Sequence, residues 1–162
     1  MKIHGMKVEP PKPITIPIPR INEKGEEYFI EIRIAPVLDF TEFEKICPPV
    51  EPKMKTDPSG VSTPVFDAEY KKDMSARIML QVSWMAIKSL EATEGLEWET
   101  VKMDDPSTWE KYPEEMRESG FSYTEISHLV DQITSLSGVN THNMDEARKR
   151  FLALKQVQKP SE

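Results

Sequence analysis

Cys47 is the only cysteine, so no disulfide can close within the chain, and its composition suits a reducing compartment. It precedes Pro48 with no base to activate it, which argues against a catalytic thiol. No apolar run approaches the length that crosses a bilayer, and the N-terminus lacks the apolar core of a signal peptide. A cytosolic protein without membrane contact is expected. Positive charge is also scarce: the net charge is −7, and the one basic triplet, Arg148-Lys149-Arg150, closely follows Asp145 and Glu146. An acidic chain without a basic patch repels phosphate backbones, so nucleic acid is not expected as a partner.

Catalytic signatures are missing too. There is no Gly-rich phosphate loop, zinc-spaced Cys/His set or nucleophile elbow. His4, His128 and His142 are scattered, and His128, beside the apolar face of its helix, reads as a partly buried structural histidine. Asp104 and Asp105, with Glu110 nearby, form the best carboxylate cluster. Attraction to the positive end of the helix that follows explains them without a metal. No cofactor or metal is expected, and an enzyme is the losing hypothesis.

What is present suits a modest core with extended segments: 38% hydrophobic residues, 30% charged residues and 14 prolines in 162 residues. Residues 67–92 form the longest stretch free of Pro and Gly and read as a central helix. Ala76, Leu80, Ser83/Trp84, Ile87 and Leu90 make one apolar stripe, and Tyr70, Met74, Ile78 and Met85 make a second beside it. Asp67 is its expected N-cap and Gly95 its stop. Met74, Met79, Met85 and Trp84 fit ordinary core; the sharper reading keeps part of this surface for a partner helix.

Ahead of that helix, Ile14, Ile16 and Ile18 alternate with polar residues and prolines, Asn22-Glu23-Lys24-Gly25 offers a turn, and Tyr28, Ile30, Ile32 and Ile34 alternate again. This is a β-hairpin. Pro13, Pro17 and Pro19 share one parity, so their missing amides lie along one blocked edge while the second strand's outer edge stays open. Asp39 and Glu42 are spaced as a capping box, with Leu38 set to staple Phe43 on a short helix ending at Cys47. Residues 48–66 read as a Pro-rich linker. Leu96 to Val101 is a short extended piece or a loop pinned by Trp98. Asp105 caps a helix start, and a short helix is expected between Glu110 and Gly120. Ser122 and Glu125 form a capping box with Phe121 and Ile126 as its staple. Asn143 can cap a last helix bearing Ala147, Phe151 and Leu154.

The expected fold is therefore α+β, mostly helical, with an N-terminal β-hairpin followed by a small helical bundle. Residues 1–47 carry the arm, hairpin and short helix, 48–66 the linker, and 67–157 the helical domain.

The runs Ser83-Trp84-Met85-Ala86-Ile87-Lys88-Ser89-Leu90, Leu96-Glu97-Trp98-Glu99-Thr100-Val101, Asp105-Pro106-Ser107-Thr108-Trp109, Gly120-Phe121-Ser122 and Ala147-Arg148-Lys149-Arg150-Phe151-Leu152 together resemble tail assembly chaperone proteins of tailed bacteriophages. The hairpin followed by Phe40 and Phe43 is similar to that family's layout; the length of the 48–66 segment departs from it. The resemblance implies a host-cytoplasmic factor that coats the tape measure protein until tail tube subunits assemble around it. On that reading Trp84, Met85, Ile87, Trp98, Trp109 and Phe121 are the candidate partner-binding residues. A second reading is a structural virion protein of the tail or head-tail connector, with the hairpin joining a sheet across subunits of a homo-oligomer.

Overall fold

The computed structural model describes residues 2–138 and 148–149. Two short strands, β1 (Lys2–Ile3) and β2 (Met6–Lys7), turn through His4 and Gly5, both at positive φ, where a loose arm was expected. The expected hairpin follows as β3 (Ile14–Ile21) and β4 (Glu27–Ile34), paired antiparallel from Ile14↔Ile34 to Ile21↔Glu27. Its turn is built by Asn22, whose side-chain oxygen accepts from the amides of Lys24 and Glu26 while Gly25 takes the positive φ. The Asn22 amide bonds the Glu26 carbonyl at 2.9 Å. By antiparallel alternation the even-numbered residues of β3 therefore face β4 with their backbone groups, and Pro17 and Pro19 face outward. Even-numbered side chains also supply the buried face, with Ile18, Ile32 and Ile34 in the core and Ile16 and Ile30 against it.

Helix α1 (Thr41–Ile46) forms, but not through the expected capping box and staple. Asp39 instead accepts from the amide and hydroxyl of Thr41, Glu42 pairs with Lys88, and Leu38 is 55% exposed. Phe43 is nevertheless fully buried, held by Trp84 on one side and Trp109 on the other.

The mostly helical expectation is corrected by the structure, in which helix makes up 41% and strand 20%. Part of the difference lies in residues 48–66, which were read as an extended linker. There β5 (Lys53–Thr56) and β6 (Ser62–Val65) pair into a further hairpin. Its turn is the Asp57-Pro58-Ser59-Gly60 signal: the Asp57 carboxylate accepts from the Ser59 and Val61 amides, and Gly60 takes φ +88°. Pro64 sits within β6, a position tolerated in a two-stranded ribbon because half of its amides point outward. Among the described residues there are five helices and three two-stranded sheets.

The central helix is α2 (Ala68–Leu90), and Asp67 caps it by accepting from the Tyr70 amide. It ends at Leu90, before Gly95. The C-terminal half, from Ser83 to Leu90, is buried except for Lys88, whereas Ile78 and Met79 nearer its start are exposed. Beyond it come α3 (Pro106–Trp109), α4 (Tyr112–Glu118) and α5 (Tyr123–Leu136). Asp105 caps α3, and the Ser122/Glu125 capping box opens α5 as expected. Helix α4 closes in a Schellman turn, with the Gly120 amide on the Arg117 carbonyl and the Phe121 amide on the Met116 carbonyl. The expected last helix at Asn143, Ala147, Phe151 and Leu154 lies outside the described residues. No helix among the described residues is long and apolar enough to cross a membrane.

The hairpin is clamped onto this framework at both ends. At one end, Arg20 forks onto Glu125 at 2.6 and 3.1 Å, donates to the Gly120 carbonyl and lies over the Phe121 ring. At the other, Thr93 accepts from the Arg33 amide and donates to the Arg33 carbonyl. Ser89 likewise gives its hydroxyl to the Ala35 carbonyl and its own carbonyl to the Ala35 amide, and Ser137 accepts from the Val37 amide.

Two outcomes follow from this packing. Phe43→Ala should lower the unfolding free energy by about 3–5 kcal/mol in urea titration, while Met79→Ser on the exposed half of α2 should change it by less than about 0.5 kcal/mol. The second concerns acid. The Arg20 hydrogen bonds, with those from Ser122, hold the Glu125 carboxyl at about 2, against an ordinary 4.5. Because the folded-state value is depressed, this group's contribution is complete above the ordinary carboxylate range and is lost as pH falls toward 2. Glu125→Gln should therefore cost roughly 1–2 kcal/mol at neutral pH, and its deficit against the parent chain should shrink through that acid window.

Candidate functional site

A single glutamate shapes an apolar cleft. Glu115 on α4 points at the segment after α2, and its carboxylate accepts from the amides of Glu99, Thr100 and Val101 and from the Thr100 hydroxyl. Partial burial pushes this carboxyl up, but the four donors outweigh it, and the net shift is downward. Leu96 to Val101 therefore runs as a pinned loop, one of the two forms the sequence allowed. Gly95 turns into it at φ +74°.

Between this loop, α4, Phe121 and the outer side of β4 lies a cleft of about 390 Å³, within the size range of ligand pockets. Its walls are apolar, with Ile30, Ile32, Leu90, Leu96, Trp98, Met116 and Phe121 among them. Glu31, Glu94, Glu97 and Glu115 add carboxylates to the lining. The Trp98 indole Nε1 is buried with no hydrogen-bond partner among the described residues, as is that of Trp84 in the core.

The six candidate partner-binding residues separate in the fold. Trp98 and Phe121 line the cleft. Trp84, Met85, Ile87 and Trp109 are core: none is more than 2% exposed. Trp84 packs against Phe40 and Phe43 at ring separations of 5.8 Å. Trp109 donates its indole hydrogen to the Lys102 carbonyl at 2.9 Å. These four are out of a partner's reach, because Trp84, Met85 and Ile87 lie on the covered half of α2 and Trp109 enters the same core from α3. The Met-rich surface of α2 divides in the same way, with Met85 buried and Met79 57% exposed.

The remaining candidates lie outside the cleft. His128 is exposed, not partly buried as expected. Asp105 accepts from the Ser107 amide and hydroxyl as the cap of α3. Cys47 is half-buried, and burial raises its thiol despite the nearby Arg77. Among the described residues, no group of three His, Cys, Asp or Glu side chains is placed to hold a metal ion.

The sequence left the outer edge of β4 open for strand addition without naming Ile30, Glu31 or Ile32 as site residues. The signal for them lay in the prolines of β3: with one edge of the hairpin blocked, any exposed edge must be that of β4. Glu115→Ala should free the 99–101 amides, and their hydrogen exchange should speed up at neutral pH while amides within α5 keep their protection. Acidification below the ordinary carboxylate range should loosen the same amides in the parent chain, because the Glu115 value is depressed in the fold. No family model matches this chain, and no curated protein or solved structure is similar to it.

Proposed function

We propose that this chain is a phage tail assembly chaperone, a non-enzymatic factor that holds apolar segments of the tape measure protein in the host cytoplasm until tail tube subunits close around it. The observation that carries the reading is the cleft beside β4, with an apolar wall bearing Trp98 and Phe121 and carboxylates around it. Such a surface suits reversible holding. Apolar walls shelter client side chains from water, and net charge on the holder opposes precipitation of the complex. Glu115 is already committed to the loop it pins, and the other cleft carboxylates face solvent, so the site's chemistry is that of binding.

A structural virion protein of the tail or head-tail connector is favoured by a different feature, the open outer edge of β4, which could join a sheet between subunits. Two measurements separate the readings. Co-expression with the tape measure protein should keep that protein in the soluble fraction, and Trp98→Ala should return several-fold more of it to the pellet without unfolding this chain. In purified particles a chaperone should be absent. Its recovery at a fixed ring multiple would transfer the assignment to the structural reading.

A further inference from the structure

The two edges of the β3–β4 hairpin differ in what they can accept. On β3, Pro17 and Pro19 face outward and bring no amide hydrogen, so a strand cannot pair there. On β4 the outward positions are Glu27, Phe29, Glu31 and Arg33. Thr93 occupies both backbone groups of Arg33. Glu27, Phe29 and Glu31 show no partner for their outward amides and carbonyls among the described residues. The open part of the edge thus runs from Glu27 to Glu31, and its Glu31 end adjoins the cleft, whose lining includes Ile30, Glu31 and Ile32.

We propose that the cleft receives an extended segment of a partner polypeptide in which apolar residues alternate with Lys or Arg, added as a third strand along Phe29 and Glu31. This rests on the reading of the cleft as a polypeptide-binding site and specifies how the client lies in it. Two observations select that occupant. The exposed amides and carbonyls of β4 are satisfied by an extended backbone at strand spacing, whereas a helix would leave them unpaired. Glu31, Glu94 and Glu97 enter no ion pair among the described residues, and nearby Arg33 pairs with none of them, so the cleft favours cationic flanks. Alternation then follows from strand geometry, because one side chain in two enters the cleft and the next faces the carboxylates and solvent.

The test uses the full chain and a short synthetic peptide in which Lys alternates with Val and Leu. Three control peptides accompany it: one with Glu for Lys, one with the backbone nitrogens of alternate residues methylated, and one helical with the same composition. Titration followed by NMR should slow exchange of the Phe29 and Glu31 amides and shift the Trp98 indole resonance. The Glu and N-methyl peptides should bind at least about tenfold more weakly, and affinity for the Lys peptide should fall as salt rises. Phe29→Pro places a proline opposite Pro19, where no ladder hydrogen is lost, and should weaken binding by about tenfold. Trp98→Phe removes part of the apolar cleft wall and should weaken binding. Equal binding of the N-methyl or helical peptide, or self-association of the chain in place of peptide binding, would overturn strand addition. If the chain keeps the tape measure protein soluble while Phe29 and Glu31 exchange is unchanged, strand addition fails and the chaperone reading stands. If the Lys peptide protects the edge while the tape measure protein still precipitates, the opposite holds.

Discussion

A hairpin of two strands has one face to bury and two edges to satisfy, and alone in water it is marginal. Everything in this fold answers that constraint. The even-numbered isoleucines of β3 and β4 lie on the buried half of α2, so the sheet and the helix complete one core between them. The edges receive different treatment. Prolines close that of β3 by removing its donors, and hydroxyl side chains close one end of β4 by substituting for the strand that is not there. Thr93 and Ser89 each satisfy both a backbone donor and an acceptor of the segment they touch. That leaves a short stretch of sheet edge open beside an apolar cleft, the feature on which the proposed binding rests.

The acidic surplus is used structurally before it is used for solubility. Asp67, Asp105 and Glu125 each accept from a helix-start amide, Asp57 organises a turn, and Glu115 pins a loop. Hydrogen bonds from the Arg20 guanidinium to Glu125, from serine hydroxyls to Asp57 and Asp105, and from backbone amides to Asp67 and Glu115 stabilise the charged forms, which explains why these groups share depressed proton affinities. Glu125 combines a local cap with the long-range fork onto Arg20, so one side chain starts α5 and also positions the hairpin against it.

Local rules carried far where the deciding contacts lie within a few residues. The hairpin turn at Asn22, the caps at Asp67, Asp105 and Ser122, and the closing turn at Gly120 are all readable because donor and acceptor are near neighbours in the chain. They misled at Asp39, where the spacing of a capping box was present but a bond to Thr41 was closer, and at residues 48–66, where five prolines concealed two strands on either side of a legible turn. For the site, residue type was a poor guide. Tryptophan and methionine serve core and partner surfaces equally well, so Trp84 and Trp109 could not be told from Trp98 by sequence. Whether an aromatic is covered depends on elements a long way off in the chain.

By itself, then, the sequence determined the punctuation of this protein: its turns, its caps, the face of the hairpin that must be buried and the edge that cannot pair. Those depend on backbone geometry and hydrogen bonds spanning a few residues. Only the tertiary structure decided which apolar side chains remain at the surface. The cleft lies between β4 and the loop that a glutamate on α4 pins, and Trp98 and Phe121 line it. These facts join residues 30, 98, 115 and 121, which no local rule links.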